Sequence, residues 1–132
     1  MSNTKTVGER SEAHILAALL EKGMAVAVPF GNNQRYDLVL DTGSALIRVQ
    51  CKTGRLHDGC VVFKACSVNG FTGKQRGYRG EADIFLVYCP QNKKIYRIPV
   101  SEAPQSEARL RITPLKKKAP TSGVRFAVNY EL

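Results

Sequence analysis

The sequence predicts an α/β domain: one N-terminal helix packed on a mixed β-sheet that is built around a hairpin. Three observations carry this expectation. A helical apolar period runs over residues 6–22, two runs rich in Val, Ile and Leu flank Asp41-Thr42-Gly43-Ser44, and residues 83–89 (DIFLVYC) are almost wholly apolar. At 132 residues the chain can bury one core without staples and is too short for a second domain. A single domain over 1–132 is expected, with a core at about 6–100 and an irregular extension at 101–132.

In the first element Ile15, Leu16 and Leu19 form the apolar stripe, Ala13, Ala17 and Ala18 favour helix, and Gly23 stands where a C-terminal stop belongs. At about 100° per residue, Glu12 falls near the centre of the stripe and Glu9 at its edge. An ionised carboxylate carried into a core unpaired costs several kcal/mol, so Glu12 either meets a cation or stands at a wet helix end as a favourable first-turn charge. Residues 24–30 read as a strand with Met24, Val26 and Val28 on one side, and GNNQRYD as a polar loop leading into the hairpin at 35–52.

For that hairpin the apolar pattern suggests Leu40 opposite Ala45, Leu38 opposite Ile47 and Tyr36 opposite Val49, which with Cys51 make one face suited to a core. Alternation then puts Asp37, Arg48, Gln50 and Lys52 on the other face, with Val39 and Leu46. A turn is expected at 53–59 and a strand at 60–66, so the first half reads αββββ. Residues 67–82 form a basic, glycine-rich loop in which Lys74, Arg76 and Arg79 alternate with Phe71 and Tyr78. Residues 83–89 suit a central strand buried on both faces, 90–93 a turn, and 94–100 a partner strand. Beyond 101, prolines punctuate two short strand-like pieces at 109–113 and 124–128, with Lys116, Lys117 and Lys118 between them.

Composition narrows the function. Hydrophobic residues at 43% and charged residues at 23% are ordinary for a globular protein, and no apolar run is long enough to span a membrane. The N-terminus lacks the charged-then-apolar layout of a secretory signal, so a cytoplasmic protein is expected. Cys51, Cys60, Cys66 and Cys89 are spaced too widely for a zinc ribbon and read as buried, reduced thiols, and neither His14 nor His57 has a ligand partner in the pattern. A net charge of +9 points to a polyanion, nucleic acid first, although an acidic protein or a membrane surface also fits a basic balance.

Glu12, Asp37 and Gln50 together bring three oxygen donors toward the Lys52 ammonium. Oxygen ligands with open positions suit Mg²⁺, with Mn²⁺ as a substitute, and an ion of that kind neutralises a phosphoryl group under attack. Lys52 would orient or deprotonate the attacking water, or stabilise the developing charge. Hydrolysis of a phosphodiester follows from such a set.

The series Glu12, Asp37, Gln50-Cys51-Lys52, borne on helix, strand and strand, resembles the PD-(D/E)XK nuclease superfamily. Within it, GERSEAHILAALLEKG, GNNQRYDLVLD and LIRVQCKTG are similar to intron-associated homing endonucleases whose third motif reads QxK. The early spacing is also similar to archaeal Holliday junction resolvases. The similarity spans residues 6 to about 100, RGYRGEADIFLVYCP included. It implies a restriction-endonuclease-like fold, Asp37 as the essential metal carboxylate, Gln50 as an amide ligand, the Cys51 carbonyl beside it, Lys52 as catalytic lysine and Glu12 as the helix glutamate. Tyr36 stands where the signature has proline, and Gln50 where it has an acid; Glu12 restores the lost charge.

The activity implied is a Mg²⁺-dependent DNA endonuclease of homing type, a homodimer or homotetramer because one such site cuts one strand. The alternatives are a structure-selective junction nuclease and an inactive DNA-binding module of the same fold. Candidate contacts to double-stranded or branched DNA are Asn33, Gln34, Arg35, Arg55, Lys74, Arg76, Tyr78 and Arg79.

Overall fold

A computed structural model describes residues 3–116 and 120–132, so Lys117 and Lys118 of the lysine run lie outside the described residues. Helix α1 (Thr4–Glu21) starts earlier than the apolar period requires because Asn3 caps it, its side chain accepting the Thr6 N–H at 2.8 Å. Its buried residues are Ser11, Ile15 and Leu19, one per turn along a single line.

The strands that follow are β1 (Ala25–Ala27), β2 (Leu38–Asp41), β3 (Leu46–Thr53), β4 (Arg55–His57), β5 (Cys60–Lys64), β6 (Ser67–Val68), β7 (Gln75–Arg76), β8 (Ile84–Cys89), β9 (Lys94–Pro99) and β10 (Glu107–Arg111). The main sheet has the order β1-β2-β3-β8-β9, with β3 and β8 parallel and the other pairs antiparallel. A second sheet has the order β10-β5-β4, and β6 and β7 form a small hairpin of their own.

The strand β8 explains its own composition. Ile84, Leu86 and Tyr88 pack with Ile15, Leu19, Leu38, Leu40 and Val49 beneath α1, while Phe85, Val87 and Cys89 face the second sheet with Val61, Phe63 and Leu110. Both faces are dry, so no alternation is left to see. Emptying one of these positions, as in Leu19→Ala, removes about 2–5 kcal/mol, the usual cost of a large-to-small change in a closed core.

Four expectations are corrected. The hairpin register is offset from the expected one: Leu38 pairs with Val49, Leu40 with Ile47 and Asp41 with Leu46, around a turn closed by the Thr42 N–H to Ala45 carbonyl bond at 3.0 Å. The strand expected at 24–30 is only β1, with Met24 and Val28 exposed. The expected turn at 53–59 contains β4, which meets β5 through Asp58 and Gly59 at φ 49° and 74°, the backbone of a two-residue hairpin turn. The stretch beyond 101 is less irregular than expected, since β10 pairs along all of β5 and buries Ala108 and Leu110.

Two sheets meet tightly at Gly54, just past β3. A Cβ there would lie 2.7 Å from Val61 Cγ1 and 3.0 Å from Val87 Cγ1.

Candidate active site

The site forms where β2 is shorter than its partner. β2 pairs with β3 only as far as Val49, so residues 50–53 of β3 have no antiparallel neighbour on that side. Asp37 occupies the gap: its N–H donates to the Val49 carbonyl at 2.7 Å, and its Oδ2 accepts the Cys51 N–H at 3.0 Å, where the next carbonyl of a longer β2 would have been. One carboxylate thus completes the ladder and stands at its open end.

Glu12 is half-buried on α1. Val49 and Cys51 pack toward α1, so Gln50 and Lys52 point away from it. Glu12 and Asp37 nevertheless approach closely enough for the Asp37 charge to act on Glu12. Burial, then that charge, then the charge of Glu9 raise the Glu12 carboxyl above its ordinary value. Burial also raises Asp37, against the Cys51 N–H and the Lys52 charge, which lower it. The Cys51 thiol is pushed well up by burial and by the charges of Asp37 and Glu12, which keeps it neutral. The height of Glu12 is set by its neighbour Ser11, whose hydroxyl is 2.5 Å from that of Thr53 and clasps α1 to the end of β3.

Gln50 lays its amide nitrogen 3.5 Å from the Cys51 carbonyl, which brings those two groups side by side. Lys52 donates to the Cys66 carbonyl at 3.3 Å and to the Tyr78 hydroxyl at 3.1 Å. Tyr78 is therefore a buried ring that holds Lys52, and not the surface ring expected to meet nucleic acid. Arg35 is corrected in the same way. Its guanidinium stacks 4.1 Å from the centre of the Tyr78 ring and donates to Ser67 Oγ and to the carbonyls of Arg76 and Gly77, so it braces the protein itself.

Of the other candidate DNA contacts, Asn33, Gln34, Lys74 and Arg79 are exposed, Arg76 is exposed but paired with Glu81 at 2.8 Å, and Arg55 lies apart in the second sheet, 3.5 Å from Glu107. Sequence reasoning did not anticipate the Ser11 contact with Thr53 or the burial of Tyr78 against Lys52. Ser11 had a signal: it stands four and eight residues before Ile15 and Leu19, so the helical period buries its hydroxyl and demands a partner.

Among the described residues there is no cluster of three or more His, Cys, Asp and Glu side chains arranged for a metal. The donor set is instead two carboxylates, one carboxamide and one backbone carbonyl. Both carboxylates are held above their ordinary values, and Lys52, the cation beside them, is committed to Cys66 and Tyr78. Two carboxylates face the single charge of Lys52, and hard oxygen donors of this kind would suit a divalent ion, which Glu12, Asp37, Gln50 and the Cys51 carbonyl could hold.

The mixed sheet with one helix on its apolar face and an acidic gap at the end of β3 is the restriction-endonuclease-like fold. The family model for the PD-(D/E)XK endonuclease matches residues 2–132, and the chain belongs to that family. It is similar to the structure of a bacterial homing endonuclease, I-Ssp6803I, at 26% identity and a TM-score of 0.70, over 99% of this chain and 88% of that one. A Holliday junction resolvase, Hjc of Archaeoglobus fulgidus, matches at 15% identity and a TM-score of 0.47, over 79% of this chain and 83% of that one. Among curated protein sequences none matches this chain.

Proposed function

We propose that this protein is a divalent-metal-dependent DNA endonuclease of homing type, acting as one domain in a dimer or tetramer. The observation that carries the reading is the Asp37 carboxylate fixed by the Cys51 N–H at the open end of β3, within the field of the Lys52 charge. The similarity to the bacterial homing endonuclease over nearly the whole chain supports the choice of substrate. A net charge of +9 suits a DNA backbone.

Mg²⁺, with Mn²⁺ able to replace it, would be held by Asp37, Glu12, the Gln50 amide oxygen and the Cys51 carbonyl. Such an ion supplies charge neutralisation at the scissile phosphate. The protein's own residues do the rest. Asp37 is fixed by the Cys51 N–H, so its carboxylate needs no reorganisation when substrate arrives. Lys52, held by Tyr78 and Cys66, carries the cation that steadies negative charge building on the phosphoryl oxygens. Exposed Asn33 and Gln34 offer amides for base edges on the loop that leads into Asp37. One such site cuts one strand, so two copies are needed for a duplex break.

The test is cleavage of plasmid and of synthetic four-way junctions with and without Mg²⁺. Mg²⁺-dependent nicking or linearisation of duplex DNA supports the homing reading. Cutting of junctions alone, whatever their sequence, transfers the protein to the structure-selective class. Absence of divalent-ion binding by calorimetry, with DNA binding intact in Asp37→Asn, makes it a DNA-binding module.

A further inference from the structure

The tip of the β6–β7 hairpin carries a phenylalanine that touches almost nothing. Phe71 has a relative exposure of 101%, and its nearest exposed apolar companion along the chain is Val68 at 47%. It is held out by a built loop. Asn69 Oδ1 accepts the Phe71 and Thr72 N–H groups at 2.8 and 3.0 Å, the Gly73 N–H returns to the Asn69 carbonyl at 2.9 Å, and Gly73 sits at φ +69°. The base of the hairpin is fastened to the body by Arg35, through the Ser67 and Arg76 bonds described above. A groove lined by Arg35, Asn69, Thr72, Lys74 and Arg76 runs beside it.

We infer that Phe71 is a wedge that enters the base stack of duplex DNA while Lys74 beside it takes a phosphate. This rests on the DNA-endonuclease reading and adds the contact that deforms the substrate. A protein partner would be expected to meet a wider apolar surface, whereas the groove beside this ring is lined by amides, hydroxyls and cations with Val68 as its one apolar residue. Lys74 has no acidic partner among the described residues, so its charge is free for phosphate. An apolar ring on a stiff arm beside cations is what unstacking a base step requires.

The sequence contains no tryptophan, so Phe71→Trp creates a single fluorescent reporter at the tip. The full chain carrying this change is titrated with a mixed-sequence duplex in EDTA, and binding is followed in parallel by anisotropy of the labelled DNA. Insertion is expected to quench the indole and shield it from acrylamide in step with binding, and Phe71→Ala is expected to bind DNA about tenfold more weakly than wild type. Full DNA binding by Phe71→Ala, with an indole that stays bright and accessible, overturns the wedge and leaves the nuclease reading standing. Burial of the indole without DNA, in a larger species that Phe71→Ala dissociates, overturns it in favour of a subunit contact. Failure of wild type to bind any DNA overturns the nuclease reading and the wedge with it.

Discussion

Asp37 and Asp83 sit at two places along β3 and are held in opposite ways. Asp83 is answered in full by one arginine: Arg48 donates its backbone N–H, its Nε and its Nη2 to the carboxylate at 2.8, 3.2 and 3.1 Å. Those bonds, the Arg48 side chain first, lower the Asp83 carboxyl below its ordinary value. Asp37 has one backbone N–H and the field of Lys52, and burial outweighs both. Asp83 serves the fold, since it ties β3 to the start of β8. Asp37 is held at some cost to the fold, with a shortage of positive charge that a divalent ion would meet.

The largest effect that could break this contrast is on catalysis. Asp37→Ala or Lys52→Ala is expected to lower the cleavage rate by about a thousandfold or more while DNA binding in gel-shift titrations persists. Next in size is metal affinity. Gln50→Glu adds a charged oxygen at the amide's place and is expected to tighten Mg²⁺ binding about tenfold in calorimetry, because ligand charge sets the affinity of oxygen sites. Unchanged affinity would remove Gln50 from the ligand set.

Stability then separates the two aspartates by sign. Because the folded value of Asp37 is raised above its ordinary 3.8, its ionised form opposes folding, with the cost absent below 3.8 and complete above the raised value. Asp37→Asn without metal is therefore expected to raise the melting temperature at neutral pH by about 2 °C, with the gain vanishing near pH 4. Asp83 runs the other way. Its folded value is lowered, so its contribution is complete above 3.8 and is lost as the pH falls through the folded value. Asp83→Asn is expected to give the smallest effect, a slight loss of melting temperature at neutral pH with cleavage unchanged, because the pair is largely open to solvent.

The parts of this site that sequence revealed are those governed by local periodicity. Gln50 and Lys52 share a face because β3 alternates, and that holds whichever pairing is chosen; Asp37 stands just before β2, with its carboxylate at the edge of the ladder. The register was beyond reach for the same reason: sliding β2 by two residues along β3 leaves every apolar side chain on its own face, so the pattern cannot distinguish Leu38 opposite Ile47 from Leu38 opposite Val49. The burial of Tyr78 depends on contacts with Lys52 and Arg35, 26 and more residues away, and its glycine-rich, basic setting points to the surface. The strand β4 is exposed along its length and carries no apolar alternation, although Asp58-Gly59 was a hairpin signal. Glu12 is expected near the centre of the buried stripe, but that line runs through Ser11, Ile15 and Leu19 and leaves Glu12 half-buried beside it; the open end of β3 arises from the shortness of β2, which the sequence does not announce.

Gly54 has a consequence for how this protein can vary. The hydrogen it carries in place of a side chain is the whole clearance between the end of β3 and the valines of two other strands. A single methyl at this point would have to displace Val61 or Val87, and the displacement would be delivered to the backbone two residues from Lys52. Position 54 thus ties the packing between the two sheets to the strand end that carries Lys52, so that a larger residue here would be felt at both.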